Sequence, residues 1–515
     1  MGAPTSVINV CSGVLLNNDY KHTIWFDDHS AQLAYFAGKV VKTFSAYSYI
    51  RKSWSLKVDA TMEQARTWTY LYFQNGNGKT YFYFINTIEY VNDNTVELFI
   101  EMDVMQTYLH EYTLHRCFVE REHSATDAIG DNLVEESLEL GELVTNAKGN
   151  VDMQELTLLV LSPGYPVGDG LGGRTHWSFD GVYSGLGVYA IDSDHWESFA
   201  LDLMENATFN EAIVTMWMYP KALVQSEGSE ESVYKEVKST GTLDAETARP
   251  TSLDGYTPRN NKLLTYPYNL LYVSNNSGGA GAFRYERFNN PAKCVFRVCG
   301  AITPEGATKM YPTGYDNQPI NYDAGIMGGN YPACAWNQDV YKLWLAQNQH
   351  SQNMSMLMSG VQIVAGVAAI AGAPGLGTLA GGGLITSGAT AIANNLAQRA
   401  DMDLQPPQAK GSFSSSINIV NEHQTFTLFN KSVDEYHARM IDQYFDMFGY
   451  RTNEVKIPNR NVRENWTYCK TIDCHVSGAL CTDDLRKIQS IYDNGITFWK
   501  DGDKIGWYSL SNNCL

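Results

Sequence analysis

Two histidines flank a glutamate in His110-Glu-Tyr-Thr-Leu-His115. That is the residue inventory of a zinc peptidase, where histidines hold the metal and the glutamate activates water. The histidines are five apart rather than four, so a helix would not bring them to one face, and the stretch reads as a strand end. Nine cysteines offer another route to a metal. No pair has C-x-x-C spacing. Cys294/Cys299 and Cys469/Cys474 stand at the wide end of zinc-ligand spacing. Cys294-Val-Phe-Arg-Val-Cys299 reads as a strand, which sends the two thiols to opposite faces, and His475 has no second histidine near it. Buried free thiols in a protein made in a reducing compartment are the expected reading. Asp501-Gly-Asp503 lacks the remaining ligands of a calcium loop. Glu120 and Glu122 share one face of a strand, with Arg121 on the other, and should form a solvated strand edge. A glycosidase pair could still be drawn from carboxylates far apart in the chain. Gly375-Leu-Gly-Thr-Leu-Ala380 fits a loose dinucleotide-binding pattern, but three glycines follow where a helix must open. Neither a G-x-S-x-G nor a G-x-x-x-x-G-K-[ST] motif occurs. No catalytic residue, cofactor or metal is expected.

The elements that would position any site are mainly strands. The chain has 515 residues, which implies roughly three domains. It is rich in Tyr, Phe and Trp, with Asn, Gly and Asp punctuating apolar runs. Strands are expected through residues 7 to 120. Trp68–Phe73 and Tyr81–Ile85 flank the hairpin signal Gln74-Asn-Gly-Asn-Gly78. Alternation predicts a half-buried strand from Thr95 to Val104. Further strands are expected at Leu156–Leu161, Val182–Tyr183, Val188–Ile191, Ile213–Tyr219, Lys262–Thr265, Asn269–Ser274, Phe283–Phe288 and Cys294–Val298. Residues 225 to 250 read as a polar, charge-rich connection. Helices are expected at Asp194–Glu205, Asp483–Tyr492 and Val433–Phe448. The last should bury Met440, Ile441, Tyr444, Phe445 and Phe448 and end at Gly449. Met1-Gly-Ala-Pro-Thr-Ser6 matches a myristoylation pattern too short to outweigh chance, and no secretory leader is read.

One segment departs from the rest. From Leu343 to Gln398 the chain carries no Asp, Glu, Lys or Arg, although its net charge is −19. An apolar run this long in a polar protein is expected to be buried, membrane-active or shielded by partners. The candidate residues are Met354, Met356, Leu357, Met358, Val361, Ile363, Val364, Val367, Ile370, Leu376, Leu379, Leu384, Ile385, Ile392 and Leu396. Met354 to Ala373 is long enough to span a bilayer before Pro374 breaks it. Its strong inserters supply only about −2 to −4 kcal/mol, and glycines and polar residues offset part of that. One copy would insert reluctantly, whereas several gathered copies could insert together. A buried helical hairpin or a Gly-rich loop shares the pattern. The excess of acid over base argues against a groove that grips nucleic-acid phosphates and leaves room for a surface that DNA slides past.

Many stretches resemble the tail-knob (distal tail tube) proteins of small phi-29-like podoviruses. They include Cys11-Ser-Gly-Val-Leu-Leu-Asn-Asn-Asp-Tyr20, Phe118-Val-Glu-Arg-Glu-His123 and Leu138-Glu-Leu-Gly-Glu142. Tyr256-Thr-Pro-Arg-Asn-Asn-Lys-Leu-Leu-Thr-Tyr-Pro-Tyr-Asn269 is the most specific, and Trp344-Leu-Ala-Gln-Asn348 and Tyr444-Phe-Asp-Met-Phe-Gly-Tyr450 follow. The similarity runs nearly end to end and is weakest over 165 to 250. It implies a mainly β protein with a few helices, built of β-rich tail-tube barrel domains, in a ring-shaped homo-hexamer. It divides the chain into a first β tube region (1–155), a β/α knob-like region (156–250) and a second β tube region (251–350). A hydrophobic loop and linker (351–410) and a C-terminal β/α region completing the tube (411–515) follow. The loop would plug the tube and then penetrate the host cell membrane, while phage DNA passes through without sequence-specific binding. Collar and tail-tip proteins would be partners, in a virion tail made in the host cytoplasm. The competing readings are a tail-borne cell-wall depolymerase and a receptor-binding protein acting through residues 156 to 250.

Overall fold

A computed structural model describes residues 7–335 and 426–515, apart from short gaps at 46, 51–53, 76–77, 152, 154, 174–176, 180–181, 185, 277, 304–305 and 331–332. The described chain forms two compact units, each drawing on separate stretches of sequence. One takes Met1–Glu142, Gly255–Tyr268 and Val433–Leu515; the other takes Leu143–Asp254 and Asn269–Ser432. The architecture is mainly β, as expected.

In the first unit, period-two alternation yields a seven-stranded antiparallel sheet. Its order is Val40–Phe44, Ile8–Ser12, Trp68–Gln74, Thr80–Asn92, Thr95–Met102, Ser55–Asp59, Ser48–Ile50. The predicted hairpin forms, with Gln74 opposite Thr80. Val10, Leu71, Val96 and Leu98 fill one core, while Cys11, Tyr70, Phe82 and Phe84 fill another. The strand expected to reach Val104 stops at Met102 because Asp103 turns inward. Its Oδ1 accepts the N–H of Met105 (3.0 Å) and Gln106 (3.1 Å), starting the short helix Val104–Thr107. Tyr70 donates to its Oδ2 at 2.8 Å.

A five-stranded sheet in the same unit runs His22–Ile24, Ile496–Trp499, Trp466–Ile472, Cys117–Glu122, Tyr450–Lys456. The first pair is parallel and the rest antiparallel. Cys117–Glu122 therefore lies inside the sheet, not at the solvated edge its alternating charges predict. A bulge between Val119 and Arg121 turns both Arg121 and Glu122 inward. Glu122 holds Lys456 Nζ at 2.6 Å and the Asn459 N–H at 2.8 Å, and burial raises its carboxyl above the usual range. Glu120 stays nearer the surface, paired with Lys470. Helix Glu435–Phe448 starts at Asp434, whose side chain accepts the His437 N–H at 3.0 Å. It ends at Gly449, where φ is +63° and any Cβ would collide with the Glu122 carbonyl. Its buried face holds Ile441, Asp442, Phe445 and Asp446, whereas Met440 is exposed. The expected apolar stripe is thus displaced, because two aspartates find partners inside.

The second unit holds three larger sheets around one core. The four-stranded sheet runs Leu143–Asn150, Thr427–Val433, Asn269–Ser274, Ala280–Phe283. The six-stranded sheet runs Val224–Glu227, Lys235–Thr240, Gly187–Ile191, Leu156–Ser162, Thr215–Pro220, Ala333–Ala335. The third runs Leu243–Thr247, Cys294–Gly300, Ala307–Tyr315, Gln318–Ile320, with Ile326–Asn330 also paired to Ala307–Tyr315. Helix Trp196–Glu205 forms close to its predicted span. Residues 225 to 250 build strands instead of a connection, because Val237 is fully buried and Leu243 packs against the core between solvent-facing charges. Two expected strands become 3-10 turns. Asn261–Leu264, in the first unit, coils because polar groups around Lys262 are drawn to buried partners. Tyr285–Arg287 coils after the strand ends at Phe283, which lets the Tyr285 hydroxyl reach Asn430 Oδ1 at 2.6 Å. Cys294 is buried and Cys299 half-buried, on opposite faces of their strand.

Candidate functional site

All fifteen apolar candidates from Met354 to Leu396 lie outside the described residues. The chain on either side is described, and both ends belong to the second unit. Upstream, Ile326–Asn330 pairs with Ala307–Tyr315, and Ala333–Ala335 forms the edge of the six-stranded sheet, with Cys334 opposite Met216. Downstream, Phe426 is buried in the core and leads into Thr427–Val433, an interior strand of its sheet.

Both flanking stretches, at Met327 and at Thr427, touch the turn joining Asn269–Ser274 to Ala280–Phe283. Gly279 N–H donates to Asn275 Oδ1 at 2.7 Å and the Asn275 N–H to Gly279 O at 2.9 Å, which shapes the turn. Asn275 Nδ2 donates to the outgoing Met327 carbonyl at 2.7 Å. Asn276 Nδ2 donates to the returning Thr427 Oγ1 at 2.9 Å. Thr427 in turn donates to Asn150 Oδ1 at 3.1 Å, and the Val151 N–H donates to Phe426 O at 2.9 Å. At Gly328 an added Cβ would collide with Thr308 Oγ1 and stand 3.2 Å from Phe426 Cζ, so the outgoing strand passes directly against the returning residue. The root is a set of neutral amides and a hydroxyl. It can hold two strands in register, and it contains no nucleophile, base or oxyanion pocket of its own. No helix among the described residues is long and apolar enough to cross a membrane.

The motif from Tyr256 to Lys262 builds a second arrangement, in the first unit. Asp442 is fully buried and accepts from Tyr256 Oη (2.6 Å), Arg259 N–H (2.8 Å), Asn260 N–H (3.0 Å) and Asn260 Nδ2 (2.7 Å). Asp446 pairs with Arg259 and accepts from Asn260 Nδ2 at 2.8 Å. Burial, with the Asp442 charge beside it, pushes its carboxyl up to about 6. Glu136 is enclosed with Lys262 (2.7 Å) and Arg121, and accepts the Arg451 N–H at 2.8 Å. Each carboxylate is consumed by donors from distant segments, which is the behaviour of structural pins rather than of an acid–base pair. Sequence reasoning missed both arrangements. The turn chemistry of Asn275-Asn-Ser-Gly-Gly279 and two aspartates on an otherwise apolar helix stripe were the available signals.

Residues 232–513 match the family described as Bacillus phage phi29, Tail knob protein gp9, C-terminal domain, and residues 4–113 match the Caudoviral major tail protein N-terminus. The tail knob protein gp9 of Bacillus phage PZA is 25% identical over 98% of both chains, and that of Bacillus phage B103 is 23% identical over 98% of both. The tail knob protein gp12 of bacteriophage C1 shares the fold, with a TM-score of 0.67 at 13% identity, over 99% of this chain and 100% of that one. Family and relatives define a structural protein of the phage tail, a virion component. More narrowly, the chain belongs to the family of the phi29 tail knob protein gp9.

Proposed function

We propose that the chain is the subunit of a hexameric tail-knob tube through which phage DNA leaves, and that residues 351–403 first plug the tube and then enter the host cell membrane. The observation that carries the membrane role is the attachment of the charge-free segment. The described chain before it, up to Ala335, and after it, from Phe426, lies in one compact unit, and Met327 and Thr427 are bonded by adjacent asparagines of a single turn. A segment fixed this way can be presented to a new environment without unravelling the sheets that hold it. The insertion arithmetic supports assembly as well, since single copies insert weakly and a ring gathers several at one point. The acidic balance of the chain suits a conduit, because a basic lumen would hold DNA by its phosphates.

The test is dye release from liposomes across acid to neutral pH, comparing the intact protein with a version lacking residues 351–403. Negative-stain imaging of both reports the ring. Leakage from the intact protein alone, with six-fold rings in both, is the expected result. Equal leakage from the deleted form would overturn the membrane role, and a monomer at working concentration would overturn the tube.

A further inference from the structure

We propose that His123 is a proton-sensitive lock between the end of helix Glu435–Phe448 and strand Trp466–Ile472. His123 is buried in the first unit, one residue past strand Cys117–Glu122. Its N–H donates to Tyr468 O at 3.0 Å. Its ring lies between two main-chain groups of fixed polarity. The Tyr468 N–H can only donate, and it reaches Nδ1 at 2.7 Å. The Asp446 carbonyl can only accept, and it lies 3.1 Å from Nε2. Together they admit one form of the ring, the neutral tautomer with its proton on Nε2. A second proton would stand on Nδ1 against the Tyr468 N–H and cost that bond. The same Asp446 carbonyl accepts Trp466 Nε1 at 2.6 Å, so the contact joins helix end and strand at two points. Gly449 makes the approach possible, since a Cβ there would lie 2.5 Å from the His123 nitrogen.

The charged groups around the ring come from every neighbouring element. Arg121 and Glu122 lie on its own strand, Asp446 on the helix, Arg463 on the loop before Trp466, and Lys456 beside Glu122. Burial first, then Arg463, push the imidazole down from 6.5 to about 3. The sign follows. Opening the lock restores an ordinary imidazole, so each pH unit below about 6.5 favours opening tenfold until the folded value is reached. The raised carboxyl of Asp446 works in the opposite direction below about 6, so the test must read a difference between variants.

The experiment measures hydrogen exchange of the full chain at pH 6.5 and 5, corrected for intrinsic rates, for wild type, His123→Asn and His123→Gln. Asn can accept the Tyr468 N–H, and Gln can donate to the Asp446 carbonyl; neither titrates. The expected result is that opening around residues 443–449 and 466–469 rises roughly 15-fold more in wild type than in the variants. Parallel pH dependence in all three forms would overturn the lock, even if the variants are less stable. So would a His123 ring that titrates near 6.5 in the folded protein.

Discussion

At the scale of residues, the decisive side chains are buried polar groups that accept from several directions. Asp442 satisfies four donors, so Asp442→Ala leaves them without their acceptor and should cost about 3–5 kcal/mol, read as a lower denaturant midpoint. Gly328→Ala should cost about 1–3 kcal/mol, because its methyl meets Thr308 and Phe426 in a packed core; an unchanged melting temperature would contradict the close passage described at the root. Asp103 titrates inside the fold, where burial pushes its carboxyl from 3.8 up to about 6. The folded state therefore holds this proton more tightly than the unfolded one. Its contribution to stability is greatest below about 4 and is lost as pH rises to about 6, a change of about 3 kcal/mol. Asp103→Asn keeps an oxygen for the helix start and should remove that slope, as thermal melts at pH 4, 5, 6 and 7 would show.

At the scale of elements, the sequence was legible wherever one local pattern decided the outcome. Strict alternation marked Thr95–Met102, and Gly449 marked the end of helix Glu435–Phe448. It was not legible where a distant partner decided. Arg121 and Glu122 turn inward because Glu136, Lys456 and Asn459 wait there, and no local rule carries that information. Charge misled in the same way over 225 to 250, where solvent-facing residues concealed a buried valine at 237. The charge-free segment was plain from composition, but its root was not, since Asn276 and Thr427 become neighbours only through sheet pairing. The turn is accordingly the element to perturb. Replacing Asn275 and Asn276 together by Ala should cost about 1–3 kcal/mol and raise proteolytic cutting near Met327 and Phe426 before any other site. Cutting first at other described loops would deny the turn its part in holding the two ends.

At the scale of the whole molecule, the contact of both flanking stretches with one turn predicts that the segment between them is dispensable for folding. A version joining residue 350 to residue 404 through a short Gly-Ser link should melt within a few degrees of the intact protein, because closure entropy changes slowly with loop length. A collapse of the melting temperature would mean that the segment belongs to the core. The first unit imposes an order of a different kind. Strand Cys117–Glu122 sits between Trp466–Ile472 and Tyr450–Lys456, and its neighbours are made long after it. At ordinary elongation rates the ribosome needs on the order of tens of seconds to supply them. Until then the nascent chain exposes two bare strand edges and a half-built core. A chain that stops before residue 450 lacks both neighbours of strand Cys117–Glu122 and cannot close this sheet, so the order of translation leaves the first unit's assembly to its last residues.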